Sequence, residues 1–200
     1  MSKRFNRDDI DKFHDYSLYI PQRTIYIGSE QFDVEGNESG VDGLMAERFI
    51  KNMSLLDTTN SDPITIIMNN PGGDWYHGIA IYDAIKTARS HVTIKVYGMA
   101  MSMGAIILQA ADERVLAPNA KVMIHYGYMG MESNHPKIYQ KWSKESEKLD
   151  KLQDKILLER IHEKQPNFQL KKLQKMLNFD TILNAKEAVD LGLADKVMGE

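Results

Sequence analysis

Apolar residues along the chain fall into short blocks of two different periods. Thr24-Ile25-Tyr26-Ile27 reads as a strand, and Leu44, Met45, Phe49 and Met53 recur at helical spacing over 42–55. Ile64-Thr65-Ile66-Ile67-Met68 is a short, continuous apolar run, the pattern of a strand buried on both faces. It ends in Asn69-Asn70-Pro71-Gly72-Gly73, and a helix follows with Ile79, Tyr82, Ile85 and Ala88 on one side. Val92 to Tyr97 predicts the next strand. Gly98-Met99-Ala100-Met101-Ser102-Met103-Gly104 then turns into a helix that opens with Ala105-Ile106-Ile107-Leu108. Two further strands, 114–116 and 122–126, are separated by Pro118-Asn119. This succession of strands and helices with short connections predicts an α/β fold.

The C-terminal third is helical by pattern. From Pro136 to about Lys164, Ile138, Trp142, Leu149, Leu152 and Ile156 stand at near-heptad spacing among Lys and Glu. That spacing fits a helix packed on its own domain and equally an assembly helix that reaches beyond it. Leu170, Leu173 and Leu177 mark a shorter helix, Ala185 to Leu191 a third that ends at Gly192, and 194–198 a closing strand. Residues 1–16 are charged and without periodicity, which predicts a flexible arm or a segment ordered only on assembly. The rest, 17–200, reads as one domain, with 126–164 as its protruding region.

Composition removes several classes of function. The chain has 200 residues, which suits one such domain. It has no cysteine, so disulfides, thiol catalysis and cysteine-ligated zinc are excluded. No histidine pair has metal-ligand spacing. A formal charge of −3, with basic and acidic residues mixed throughout, gives no footprint for nucleic acid. No run approaches a membrane span and the first residues form no signal-like apolar segment, so the expected location is cytoplasmic.

Four features could carry chemistry, and each has a plain structural explanation when taken alone. Ser102 lies at a strand-to-helix turn, which can expose a hydroxyl beside the N–H groups of a new helix; it could equally cap that helix. Pro71-Gly72-Gly73 can aim backbone N–H groups into a cavity, or be a simple turn. It is not a phosphate loop, because no Gly-Lys-Ser/Thr follows. His125 stands in an apolar strand, where a histidine is commonly a satisfied core residue. Asp180 precedes a helix, as capping carboxylates do.

The order of these features carries more than any one of them. Asn-Asn-Pro-Gly-Gly (69–73), Gly-Met-Ala-Met-Ser-Met-Gly-Ala (98–105), Leu-Ala-Pro-Asn-Ala-Lys-Val-Met-Ile-His (116–125) and Asn-Ala-Lys-Glu-Ala-Val-Asp-Leu-Gly-Leu-Ala-Asp (184–195) occur in one order. The chain thereby closely resembles the Clp protease proteolytic subunit family, ClpP, serine peptidases of the crotonase-like superfold, from about Tyr16 to Val197. The resemblance implies repeated ββα units with a long handle helix. It assigns Ser102 as nucleophile, His125 as base and Asp180 as the carboxylate that orients it. Backbone N–H groups of Gly73 and Met103 become the oxyanion donors. It further implies two stacked seven-membered rings, with the 136–164 helix packed between them. Unfolded polypeptides would arrive from a separate AAA+ unfoldase that uses the ATP, and this chain would bind no cofactor.

The chain departs from the family pattern at several places. Tyr126-Gly127 stands where the family usually has Gln-Pro, ahead of a glycine-rich substrate-pairing strand. Asn70 replaces a serine, and Thr65 and Ile67 replace tyrosines that help dock the unfoldase. The first sixteen residues do not match the usual axial loop. These differences suit a divergent member, of phage or accessory type. Two other functions fit the fold: a non-catalytic ring subunit, which would be expected to lose triad residues, and an acyl-CoA enzyme, which would not need them.

Overall fold

The computed structural model describes residues 6–28, 40–127 and 135–200. Within these, the strands are β1 (Leu18–Tyr19), β2 (Thr24–Gly28), β3 (Ile64–Asn70), β4 (Val92–Met101), β5 (Glu113–Leu116), β6 (Lys121–Ile124), β7 (Thr181–Asn184) and β8 (Lys196–Val197). The helices are α1 (Arg7–Tyr16), α2 (Gly43–Thr59), α3 (Trp75–Lys86), α4 (Met103–Leu108), α5 (Pro136–Lys164), α6 (Leu170–Leu177) and α7 (Ala185–Leu191). The sheet runs β1-β2-β3-β4-β5-β8, and β6 branches from β4 and carries β7. Pairing is parallel except at β1–β2 and β6–β7.

The branch point explains how the fold presents the Ser102 turn. The first half of β4 pairs with β5, Thr93–Val96 against Glu113–Leu116. Its second half pairs with β6, Met99–Met101 against Lys121–Met123. Between the halves the register with β3 slips, Met68 opposing Val96 but Asn70 opposing Ala100. Asn69 fills the gap, its Oδ1 accepting from Met99 N–H at 3.2 Å. Gly98 bends there at φ +74°, and a Cβ on it would come within 2.6 Å of that same oxygen. A glycine is therefore required at the bend. The bulge diverts the tip of β4 away from β5 and onto β6, beside His125.

One continuous core holds these layers. Ile64, Ile66 and Met68 of β3 are fully buried, as are Ile94 and Val96 of β4 and Ile107 and Leu108 of α4. The expectation of a β3 buried on both faces is corrected: burial alternates, with Thr65, Ile67 and Asn69 half-buried. The half-buried face borders a cleft of about 470 Å³ beneath α1, lined by Ile10, Phe13, Tyr19, Thr65, Ile67 and Tyr97.

Other expectations are also revised. Residues 7–16, expected as a flexible arm, form α1, capped by Asn6 and resting Phe13 edge-on against Tyr19. A helix of 10 residues offers too few apolar positions for a period to show. The first five residues lie outside the described part of the chain. β7 was not anticipated, because Thr-Ile-Leu-Asn is short and runs directly into a helix. α2 continues to Thr59, four residues past its expected end, and β8 is shorter than expected.

α5 has the predicted bounds. Its 29 residues extend about 43 Å. Its buried residues are Gln153, Asp154, Ile156, Leu157 and Ile161, all in the C-terminal half. The N-terminal half leaves Ile138, Tyr139 and Trp142 exposed. This is the long handle helix that the resemblance implies.

Candidate active site

Ser102 lies between the end of β4 and the first turn of α4. Its backbone, φ +51° and ψ −120°, lies where non-glycine residues are rarely found. Surrounding bonds hold it there. Ser102 N–H donates to Met123 C=O at 2.8 Å, and its own C=O accepts from Ala105 N–H at 3.0 Å. Its side chain makes no capping bond to α4. The helix-cap explanation of this serine is thereby excluded, and its hydroxyl is turned elsewhere.

That hydroxyl meets His125. Ser102 Oγ lies 2.8 Å from His125 Nε2, and His125 Nδ1 lies 2.8 Å from Asp180 Oδ1. The three residues come from three elements. His125 directly follows β6, and Asp180 directly precedes β7. β6 and β7 pair antiparallel with Ile124 opposite Thr181, so residues 55 apart in sequence become neighbours. The unanticipated strand is thus what carries Asp180 to the histidine. The His125 side chain is largely enclosed, at 15% exposed, whereas that of Asp180 is 61% exposed.

The Pro71-Gly72-Gly73 loop crosses over the Ser102 turn. A methyl group on Gly72 would come within 2.6 Å of Ser102 Cβ and 3.1 Å of Met103 N, at a φ of +107°. Only glycine allows this approach. Asn70 Oδ1 accepts from Gly72 N–H at 2.9 Å and holds the loop down. Val41 clamps its far side, donating to Gly72 C=O and accepting from Asp74 N–H. Among the described residues, neither the Gly73 nor the Met103 N–H donates to a protein acceptor. Met103 directly follows Ser102 and Gly73 follows the glycine that meets it, so among the described residues both expected donors stand next to the site without a protein acceptor. The Met103 side chain itself is core, packed onto Gly78 of α3.

Matches to known proteins give the family of the chain. The family model described as Clp protease matches residues 21–200. The chain belongs to the Clp protease family. It is 31% identical over 188 residues to the ATP-dependent Clp protease proteolytic subunit of Deinococcus radiodurans, spanning 92% of this chain and 84% of that protein. It is 32% identical over 186 residues to proteolytic subunit 3 of Parasynechococcus marenigrum, spanning 92% and 86%. Among solved structures, a point mutant of ClpP1 from Listeria monocytogenes matches with a TM-score of 0.75 at 25% identity, covering 90% of this chain and 94% of that one. By class the chain is an enzyme, a serine-type endopeptidase of the Clp protease kind.

Some features of the site had no sequence signal. Asn70 looked like a small polar substitute for serine, yet it anchors the glycine loop. Gln153 and Asp154 lie between the regularly spaced Leu152 and Ile156 of α5, so the apolar pattern gave no sign that this stretch of the handle meets polar partners. The segment 128–134, which contains most of the altered text after His125, lies outside the described residues. Among the described residues, no group of His, Asp and Glu could hold a metal, and no helix is long and apolar enough to cross a membrane.

Proposed function

We propose that this chain hydrolyses peptide bonds of unfolded polypeptides through Ser102, His125 and Asp180, inside a ring-shaped chamber. The observation that carries the proposal is the continuous chain of two 2.8 Å contacts from Ser102 Oγ through His125 to Asp180. A serine hydroxyl is a weak nucleophile unless a base takes its proton during attack. Neutral His125 accepts that proton on Nε2 as Oγ attacks the scissile carbonyl. Asp180 accepts from Nδ1–H, which fixes the tautomer and stabilises the imidazolium. His125 then returns the proton to the departing amine. Water enters, is activated by the same imidazole, and releases the acyl group from Ser102.

The oxyanion of each tetrahedral intermediate is received by the N–H groups of Gly73 and Met103. Donors of this kind each lower the barrier by about 3–4 kcal/mol in comparable sites. They need no reorganisation, since the glycine loop and the Ser102 turn already hold one another. The chemistry is complete with these groups, and no cofactor is called for.

Assembly belongs to the same proposal. The exposed Ile138, Tyr139 and Trp142 on the free half of α5 suit burial against a second ring, giving two stacked heptamers in the cytoplasm. The relatives are named ATP-dependent, and the Pro-Gly-Gly loop of this chain lacks the Lys and Ser/Thr of a phosphate loop. A separate AAA+ unfoldase therefore supplies the ATP step and delivers the substrate. The cleft bearing Thr65 and Ile67 is the face it would engage. A non-catalytic ring subunit or an acyl-CoA enzyme would have no use for a serine, histidine and aspartate in one hydrogen-bonded line.

The test is covalent labelling by a fluorophosphonate on fractions of known native mass. Ring-sized wild-type protein should label at a single site, and Ser102→Ala should not label at all. Ring-sized wild-type protein that stays unlabelled would count decisively against a catalytic role.

A further inference from the structure

The handle helix is mostly exposed and charged, but two adjacent polar residues on it are buried. Gln153 is 5% exposed and Asp154 is 6% exposed. Buried polar groups on such a helix must be bonded, and their partners show what they hold. Gln153 Nε2 donates to the backbone C=O of His125 at 2.7 Å. Asp154 Oδ1 accepts from the Tyr126 hydroxyl at 2.8 Å, and its Oδ2 accepts from Gln174 Nε2 at 2.8 Å. Tyr126 N–H in turn donates to Leu177 C=O at 2.7 Å.

These bonds converge on one short stretch of backbone. His125 lies just beyond the last residue of β6, where the ladder with β7 has ended. Gln153 holds its carbonyl from the handle. Tyr126 is pinned twice, by its N–H to the end of α6 and by its hydroxyl to α5. Burial, and after it the bond to Asp154, push the Tyr126 hydroxyl well above its ordinary pKa, so it remains a donor. This tyrosine stands where the family pattern usually has Gln, and the bond to Asp154 belongs to this chain's version of the site.

We propose that Gln153 and Asp154 are positioning residues for His125, acting on its backbone carbonyl and through Tyr126, so that the base of the handle sets the imidazole against Ser102. The proposal rests on the Ser102–His125–Asp180 reading above. The imidazole must stay within hydrogen-bond reach of the serine during attack, and a displacement on the order of 1 Å costs about a hundredfold in rate. Loss of one of two anchors should cost less than that.

The experiment uses the full chain and four variants. Gln153→Met keeps the volume but cannot donate, and Asp154→Leu removes the acceptor. Asp154→Asn restores an acceptor for Tyr126, because the Gln174 amide can turn over to offer its oxygen. Lys155→Gln, on the exposed side of the same turn, is the control. The readouts are fluorophosphonate labelling rate, kcat and KM for a small fluorogenic peptide, Tm and native mass. Gln153→Met and Asp154→Leu should lower both kcat and labelling rate by about tenfold, with KM within about twofold. Asp154→Asn should recover to within about threefold of wild type, and Lys155→Gln should match wild type. Gln153→Met labelling at the wild-type rate overturns the proposal, as does a loss that follows falling Tm or native mass. Asp154→Asn behaving like Asp154→Leu also overturns it. A wild type that fails to label defeats the peptidase reading itself, an outcome distinct from labelled but insensitive variants.

Discussion

Ser102 and Asp180 stand at opposite ends of one hydrogen-bonded line, yet the protein holds them differently. Ser102 opens onto a helix whose residues are all buried, with a strained backbone and a glycine loop pressed against its Cβ. Asp180 precedes an outer strand that, among the described residues, pairs only with β6, its side chain 61% exposed and its neighbours Phe179 and Ile182 exposed as well. Geometry at the serine end is therefore tied to the stability of the core. At the aspartate end it depends on one antiparallel ladder and one ion pair. Changes at the two ends should separate activity from stability in different ways.

Ser102→Ala should have the largest effect on activity, a fall in kcat of about a millionfold if the serine is the nucleophile. Asp180→Asn comes next, with a loss of about ten-thousandfold through the wrong histidine tautomer. Because that side chain is largely in solvent, its unfolding free energy should hold to within the few tenths of a kcal/mol typical of surface changes, and its Tm should barely move. A Tm that drops sharply would show the aspartate end to be structural too. Gly72→Ala should instead reduce both properties. Its φ of +107° and the 2.6 Å approach to Ser102 Cβ predict a stability loss of about 1–3 kcal/mol and at least about a hundredfold slower labelling. Unchanged stability in that variant would break the contrast from the serine side.

The converse case lies at the far edge of the sheet. Arg114, its side chain 3% exposed, bonds Asp195, whose side chain is 37% exposed, and thereby joins β5 to the start of β8. Burial alone would raise the Asp195 pKa, but the Arg114 hydrogen bonds and charge outweigh it and hold the carboxyl below its ordinary value. A depressed folded pKa means stability that is present above the unfolded value of about 3.9 and lost as pH falls through the folded one. Asp195→Asn should cost about 1–2 kcal/mol at pH 7, allowing for solvent screening, and leave kcat unchanged. Denaturation midpoints measured against pH should show the gap to wild type closing below about pH 4. A gap that persists there would locate the effect in packing and not in charge.

Much of the fold was legible because period and punctuation are local. The helices at 136–164, 170–177 and 185–191 appear where their apolar spacing put them. β7 was not legible, because four residues carry too little pattern, and its existence depends on β6 lying alongside. The alternation in β3 was hidden because Ile67 is apolar yet faces the open cleft. At the site, the residue types alone left each candidate open, and it was the resemblance carried by four ordered blocks that pointed to Ser102, His125, Asp180, Gly73 and Met103. Nothing in the text of the chain marked Asn70 as the anchor of the glycine loop, or Gln153 and Asp154 as partners of the stretch after β6.

The Ser102 turn shows where the division falls. By itself the sequence determined that a small-residue turn joins a strand to a helix there, since glycine, alanine and the apolar run beyond it are local properties. It also determined which family the chain resembles, since four blocks in one order are a property of the text. Only the tertiary structure decided what the serine does with its hydroxyl. A cap and a nucleophile share the same local sequence. They differ in whether Oγ turns to its own helix or to a histidine 23 residues away, and that choice is made by the bulge in β4, the β6–β7 ladder and the glycine loop above it. Such contacts depend on register between strands, and register is settled by the packing of the whole sheet.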